Sequence, residues 1–383
     1  MQIESKLPRV GTTVFTVMSQ LAAQHGAVNL GQGFPDFATP QRLRDALADA
    51  MRTGHNQYAP MSGLLALREQ IARKVQALYG RTVDPEGEVT ITSGATEAIF
   101  AAIAAVVRHG DEVIVFDPCY DSYEPAIELS GGRAVHVPLR DDSFAVDWQR
   151  VAAAITPRTR MIIVNTPHNP SGAVVSESDL AALSELTRNT GICVLADEVY
   201  EHIVFDGRAH QSLSRHAELA ARSFIVSSFG KTYHCTGWKI GYCVAPRALM
   251  EEFRKVHQYL TFSSFTPAQH AFAEMLEHEP RHHLDLPAFY EAKRDEFRAL
   301  LARSRLRLLP VAGAYFQLAD FSSIAPDKSD IEFCEWLVRE KGVAAIPLSV
   351  FYRTPPAQQR LIRFCFAKNS DTLQRAAARL CRL

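Results

Sequence analysis

Between about Glu88 and Pro246 the chain changes its hydrophobic period repeatedly, from short β-branched runs to stretches with helical spacing. Val89–Thr92, Glu112–Phe116, Val135–Pro138, Met161–Asn165, Ile192–Ala196, Phe224–Ser227 and Gly241–Ala245 read as strands. Thr96–Arg108, Tyr123–Leu129, Trp148–Ile155 and Ser178–Arg188 read as helices. Such alternation predicts an α/β fold, with a large domain built on a mainly parallel seven-stranded sheet covered on both faces. Helical spacing then dominates from Ala248 to about Arg303.

The last part has a different rhythm. Leu306–Leu309, Tyr315–Leu318, Ala344–Ile346 and Ile362–Phe366 read as strands, with helices at Asp330–Lys341 and Asp371–Leu383, which predicts a smaller α+β unit. The opening segment Met1–Thr39 holds a loop rich in glycine and aromatics, Gly31-Gln32-Gly33-Phe34-Pro35-Asp36-Phe37, and is expected to pack with that unit. The expected division is a large domain over residues 43–283 and a small one made of residues 1–42 plus 284–383.

The totals remove several function classes. With 383 residues, 47% of them hydrophobic, the chain is long enough for two cores. A formal net charge of −1 and no basic tail argue against nucleic acid as a partner. The 7 cysteines are scattered without a Cys-x-x-Cys pair, which reads as reduced thiols in a cytoplasmic protein, and no metal is expected. Met1–Val10 has no apolar signal core, and the greasiest stretch, Ala98–Val107, is too short to span a bilayer, so no membrane association is expected.

Six segments carry chemistry. In Ser227-Ser228-Phe229-Gly230-Lys231-Thr232, small residues deliver Lys231 to the end of a strand, where its stem is shielded. A second lysine, Lys239, lies in Thr236-Gly237-Trp238-Lys239-Ile240-Gly241 at the entry to the next strand. One amine can form a Schiff base and the other can hold an anion as a point charge; a neighbouring cation also lowers the proton affinity of the first. The reverse assignment is disfavoured because Lys239 lies at a strand start, beyond the turn. Ser93-Gly94-Ala95-Thr96 runs from strand into helix and offers free N–H groups and a hydroxyl to an anion, or else is an ordinary capped helix start. Asn165–Gly172 and Ala196-Asp197-Glu198-Val199-Tyr200 end strands at the edge where open α/β sheets bind ligands. Asp197 there can hold a pyridine nitrogen protonated, or can cap the next turn. Finally, Arg363 lies among apolar residues in Leu361–Phe366, where it needs either a substrate carboxylate or an internal acid.

Together and in order, these motifs resemble the class I aminotransferases of pyridoxal-phosphate fold type I, over essentially the whole chain. Within them the chain is most similar to the methionine, glutamine/phenylpyruvate and kynurenine branch. The carrying signatures are Gly31–Phe37, Asn56-Gln57-Tyr58, Asn165–Gly172, Asp197–Tyr200, Gly230–Thr232 with Thr236–Gly241, and Ile362–Phe366; the match to bacterial methionine aminotransferases is particularly close around Ser227–Gln258. The resemblance implies that Lys231 carries pyridoxal 5'-phosphate and moves a proton, cycling the cofactor through pyridoxamine 5'-phosphate. It implies that Asp197 pairs with the ring nitrogen, Asn169 and Tyr200 bond the 3-oxygen, and Tyr120 stacks on the ring. Ala95, Thr96, Ser228 and Lys239 hold the phosphate, joined by Tyr58 of a neighbouring copy in a homodimer. Asn169, Arg363 and the Gly33 backbone bind the substrate carboxylate, and Phe15, Phe34 and Phe262 line an apolar side-chain pocket. The implied reaction moves the amino group of methionine or an aromatic amino acid to a 2-oxo acid by a ping-pong cycle. Kynurenine or glutamine transamination, or β-elimination from cysteine S-conjugates, is the alternative on the same scaffold. Some relatives carry an aromatic-histidine pair where this chain has Phe262-Ser263, so their substrate preference does not transfer.

Overall fold

The computed structural model describes residues 3–383. Its centre is a seven-stranded sheet. The strands are β1 (Val89–Thr92), β2 (Glu112–Asp117), β3 (Arg133–Pro138), β4 (Thr159–Asn165), β5 (Cys193–Asp197), β6 (Ser223–Ser228) and β7 (Gly241–Val244). Their spatial order is β1-β7-β6-β5-β4-β2-β3, and only β7 runs against the others. Alternate side chains enter separate cores, as the strand period of two requires. Val113, Val115, Met161, Ile163 and Val226 pack under the helices Ala95–Val106 and Arg247–Leu260. Ile114, Phe116, Ile162, Val164 and Ile225 face the other core with Ile71 and Phe272.

A four-stranded antiparallel sheet follows, in the order Ile346–Pro347, Leu361–Cys365, Phe316–Asp320, Arg307–Leu308. The opening segment is tied to it: Val28 and Asn29 pair in parallel with Val343 and Ala344, and Cys365 N–H donates to Leu30 O at 2.7 Å. The flanking helix Asp330–Lys341 is bounded by local chemistry. Ser329 and Glu332 form a reciprocal capping box, and Gly342 takes the left-handed conformation (φ 67°) that ends it. Among the described residues no helix is long and apolar enough to cross a membrane.

Three local expectations change. The single strand expected at Ala344–Ile346 is two short ones in different sheets, because Ala344 pairs with Asn29 while Ile346 pairs with Arg363. Lys231 lies one turn past its strand, in the short helix Phe229–Thr232. Lys239 is not yet in a strand: it follows the 3-10 turn Thr236–Trp238 in a left-handed conformation (φ 53°), and β7 begins at Gly241.

Candidate active site

Strand register gathers the chemistry along one sheet edge. Asn165 pairs with Asp197, Asp197 with Val226, Ser228 with Gly241, and Gly241 with Thr92. Because β7 is antiparallel, the chain enters it at the edge where its neighbours leave, which brings Lys239 beside the start of the helix after β1. A cavity of about 340 Å³ opens there. Phe15, Gly33, Ala95, Thr96, Tyr120, Asn169, Asp197, Tyr200, Ser228, Lys231, Lys239 and Arg363 all line it.

One wall gathers positive charge and free N–H groups. The helix Ala95–Val106 begins at Gly94, which sits at φ +79°; a Cβ there would lie 3.2 Å from Lys239 Nζ, so the ammonium rests over the helix start. A Cβ at Gly241 would come within 2.9 Å of Ala95 N. Two glycines thus allow an ammonium, a helix N-terminus and the Ser228 strand end to converge.

The floor holds Asp197, which is buried. Tyr123 OH donates to its Oδ2 at 2.6 Å and Val199 N–H to its Oδ1 at 3.4 Å. Burial pushes its carboxyl up to about 6, against the pull of these bonds and of Lys231. Lys231 is half-buried, with Nζ 3.2 Å from Gly33 O and 5.6 and 5.8 Å from the Tyr200 and Tyr315 ring centroids. Burial brings its ammonium down to about 8, and the nearby Arg363 and Lys239 add to that; an amine so placed supplies free base near neutrality. Burial holds the Tyr200 phenol well above its usual range, so it stays a hydrogen-bond donor.

At the far end Arg363 is almost fully enclosed. Its Nη1 donates to Asn169 Oδ1 at 2.6 Å and its Nη2 to Gly31 O at 3.2 Å, while the buried Nε has no partner. Phe316, Phe351 and Phe15 surround the guanidinium, with Cζ 4.1, 5.1 and 5.3 Å from their ring centroids. Among the described residues no carboxylate is bonded to Arg363, so the internal acid left open by the sequence is not its partner there; an unpartnered buried donor suits a carboxylate brought by a ligand.

Three of the expected site residues stand outside this cavity. Tyr58 and Phe262 are 80% and 45% exposed and meet each other edge-on at 5.3 Å. Phe34 is also outside the lining, exposed beside Lys368. Conversely, sequence reading gave no site role to Tyr123, to Phe316, which pads Arg363, or to Asn165, whose side chain donates to Asp197 O at 2.9 Å and accepts from Asn169 N–H at 2.8 Å. A tyrosine three residues after Tyr120, at the start of the helix following β2, was the available signal. Away from the cavity, Asp117, Cys119 and His136 offer ligand atoms within 4.8 Å of one another, but Asp117 already bonds His136 Nδ1 at 2.7 Å and accepts from Arg353 N–H at 2.9 Å.

The family described as aminotransferase class I and II matches residues 25–380. Methionine aminotransferase of Escherichia coli K12 is 56% identical over 98% of this chain and 97% of its own length. Kynurenine–oxoglutarate transaminase 1 of mouse is 36% identical, covering 95% of this chain and 93% of that protein. A solved E. coli structure described as having a methionine aminotransferase function superposes with a TM-score of 0.98 at 55% identity, over the full length of both chains.

Proposed function

The chain belongs to the aminotransferase class I and II family and is a transaminase, and from that premise we propose a pyridoxal-phosphate enzyme that takes the amino group from methionine or an aromatic amino acid and gives it to a 2-oxo acid. The observation that carries the reading is the convergence of Lys231, Asp197 and Arg363 in one cavity that also has that positively charged wall.

The residues fit the cofactor. Gly94, Ala95, Thr96, Ser228 and Lys239 offer donors and positive charge to its phosphate. Asp197 would pair with its ring nitrogen, Asn169 and Tyr200 would bond its 3-oxygen, and Tyr120 would stack on its ring. Pyridoxal phosphate, when bound, supplies the electron sink that lets an amino acid lose its α-proton. Lys231 Nζ would hold the cofactor and, as a free amine, would take the substrate's α-proton and hand it back to complete the amino-group transfer. Asp197, its ionised form favoured by the bonds from Tyr123 and Val199, would stabilise positive charge on the ring nitrogen. Arg363 and Asn169 grip the substrate carboxylate and so orient the α-carbon toward Lys231. The aromatic rings of Phe15, Phe316 and Tyr120 leave an apolar, polarisable neighbourhood for a thioether or ring. The 56% identity to the E. coli methionine enzyme supports methionine as donor.

We also propose a homodimer acting in the cytoplasm. Tyr58, Tyr259, Leu260, Phe262 and Phe265 are exposed large hydrophobic residues, Tyr58 meeting Phe262 edge-on, that a second copy would cover. Tyr58 and Phe262 would then serve the partner's cofactor phosphate and substrate pocket.

The test is borohydride reduction of the cofactor-loaded protein followed by peptide mapping, beside a single-turnover panel of methionine, phenylalanine, tyrosine, kynurenine and a cysteine conjugate. Label on Lys231, loss of turnover with retained noncovalent cofactor in Lys231→Ala, and oxo-acid formation from methionine are expected. Label on another residue, or full turnover by Lys231→Ala, rejects the assignment; pyruvate and ammonia from the conjugate as the main products would favour the β-lyase.

A further inference from the structure

Behind the Lys231 segment, on the side away from the cavity, lies a charged pair that the reaction does not use. Lys74 and Glu201 are 8% and 5% exposed, and Nζ stands 2.6 Å from Glu201 Oε1. That oxygen also accepts from Ser227 Oγ at 2.6 Å and from Tyr242 OH at 2.8 Å, and Oε2 accepts from Tyr79 OH at 2.5 Å. Lys74 also bonds Tyr242 OH. Burial alone would raise the Glu201 carboxyl; the Lys74 ammonium, the neighbouring His202 and the bonds from Lys74 and Ser227 reverse that and hold it well below the usual range. The space left among these groups is about 10 Å³, the lower limit for a single water, so no ligand is accommodated.

A buried ion pair is a poor means of stabilising a fold, since well-packed apolar residues do as well or better. What apolar residues cannot do is fix directions. Glu201 itself and its partner Ser227 are each next in sequence to a cavity residue, and Tyr242 pairs with Ser227. Glu201 follows Tyr200, and Ser227 precedes Ser228. Tyr242 pairs with Ser227 in the register that sets Gly241 opposite Ser228. Successive residues of a strand point to opposite faces, so Ser228 lines the cavity while Ser227 meets Glu201. One carboxylate therefore ties three elements: the helix Leu65–Tyr79, the turn after β5, and the β6–β7 edge.

We propose that Glu201, with Lys74 as its counter-ion, is a positioning residue for the cofactor site, fixing the backbone that presents Tyr200 to the ring and Ser228 to the phosphate. The assignment rests on the functional reading above.

The experiment uses the pyridoxal-phosphate holoenzyme. Lys74→Met/Glu201→Leu removes both charges and the shared acceptor. It should weaken cofactor affinity about tenfold, move the midpoint of the bound cofactor's visible pH titration by about half a unit, and lower kcat about tenfold, with KM for methionine within about threefold. Lys74→Met/Glu201→Gln restores the acceptor for Ser227 and Tyr242 without charge and should recover affinity to within about threefold of wild type. Tyr242→Phe, a smaller change safe for folding, should shift affinity and titration in the same direction. Cofactor affinity and titration midpoint unchanged in Tyr242→Phe and in whichever double variants fold would overturn the assignment, whatever their thermal stability. A wild type that bound no pyridoxal phosphate would overturn the functional reading and this assignment together, whereas normal wild-type binding beside unmoved variants overturns this one alone.

Discussion

Tyr123→Phe isolates a single interaction, the 2.6 Å hydrogen bond from the phenol to Asp197 Oδ2. The carboxyl stands at about 6, raised by burial and restrained first by that bond. A hydrogen bond to a buried charged group contributes about 1.5–3 kcal/mol, and one pKa unit corresponds to about 1.4 kcal/mol, so the variant's carboxyl should rise by about 1–2 units. With a rise of about 1.5 units, the ionised fraction at pH 7 falls from about nine-tenths to about a quarter. The sign is fixed: losing a donor to the charged form raises the pKa, so activity is lost on the acid side and recovered on raising the pH. The bound cofactor's cation lowers the carboxyl in both proteins, which leaves the difference between them as the readout. The assay is the single-turnover rate with methionine, followed by cofactor absorbance from pH 6 to pH 9.5, roughly the span in which the shifted group titrates. The variant's acid limb should lie about 1 unit more alkaline than wild type, with matching plateaus above it. Coincident limbs, within about 0.3 unit, would refute the idea that this phenol keeps Asp197 ionised.

Three further outcomes follow from the same geometry. The folded Asp197 carboxyl, at about 6, lies above its unfolded value of about 3.9, so the folded state binds more protons in that window and the ionised group lowers stability above it; cofactor-free Asp197→Asn should gain up to about 3 kcal/mol in urea unfolding at pH 8, gain nothing at pH 4, and lose transamination. Arg363→Lys keeps a charge but loses the fork held by Asn169, so kcat/KM for methionine should fall about a hundredfold, mainly through KM, with cofactor affinity unchanged by absorbance titration. Since Lys231 stands at about 8, the rate at which the cofactor-free protein captures pyridoxal phosphate should climb with pH up to that value and level off above it in stopped-flow absorbance; a flat profile from pH 6, about 2 units below, would count against the free amine as the attacking form.

Strand ends were the legible part of this molecule. Asp197 and Asn165 are the last residues of apolar runs, and a run that stops on a polar residue reveals both the strand and the edge where it stops. Arg363 was legible for the opposite reason, as a charge inside a run where nothing local satisfies it. Tyr123 and Glu201 were illegible because their roles depend on partners 74 residues away, Asp197, or 127 residues away, Lys74, and a tyrosine on a helix or a glutamate after a strand carries no mark of such pairing. The break at Ala345 was hidden for a related cause: Val343 to Pro347 is uniformly apolar, and only the choice of partner strand divides it. Tyr58 and Phe262 were noticed through likeness alone, since exposed aromatics have no periodicity to betray their destination.

Phe15 belongs to the chain's first helix, Val14–Gln24, yet it forms one side of the aromatic enclosure around Arg363. The amino-terminal end is therefore an unsuitable handle for trimming, tag fusion or immobilisation on a surface. An edit that loosens that helix would let water reach the guanidinium and blunt its hold on an incoming amino acid, although nothing in the sheet had been touched.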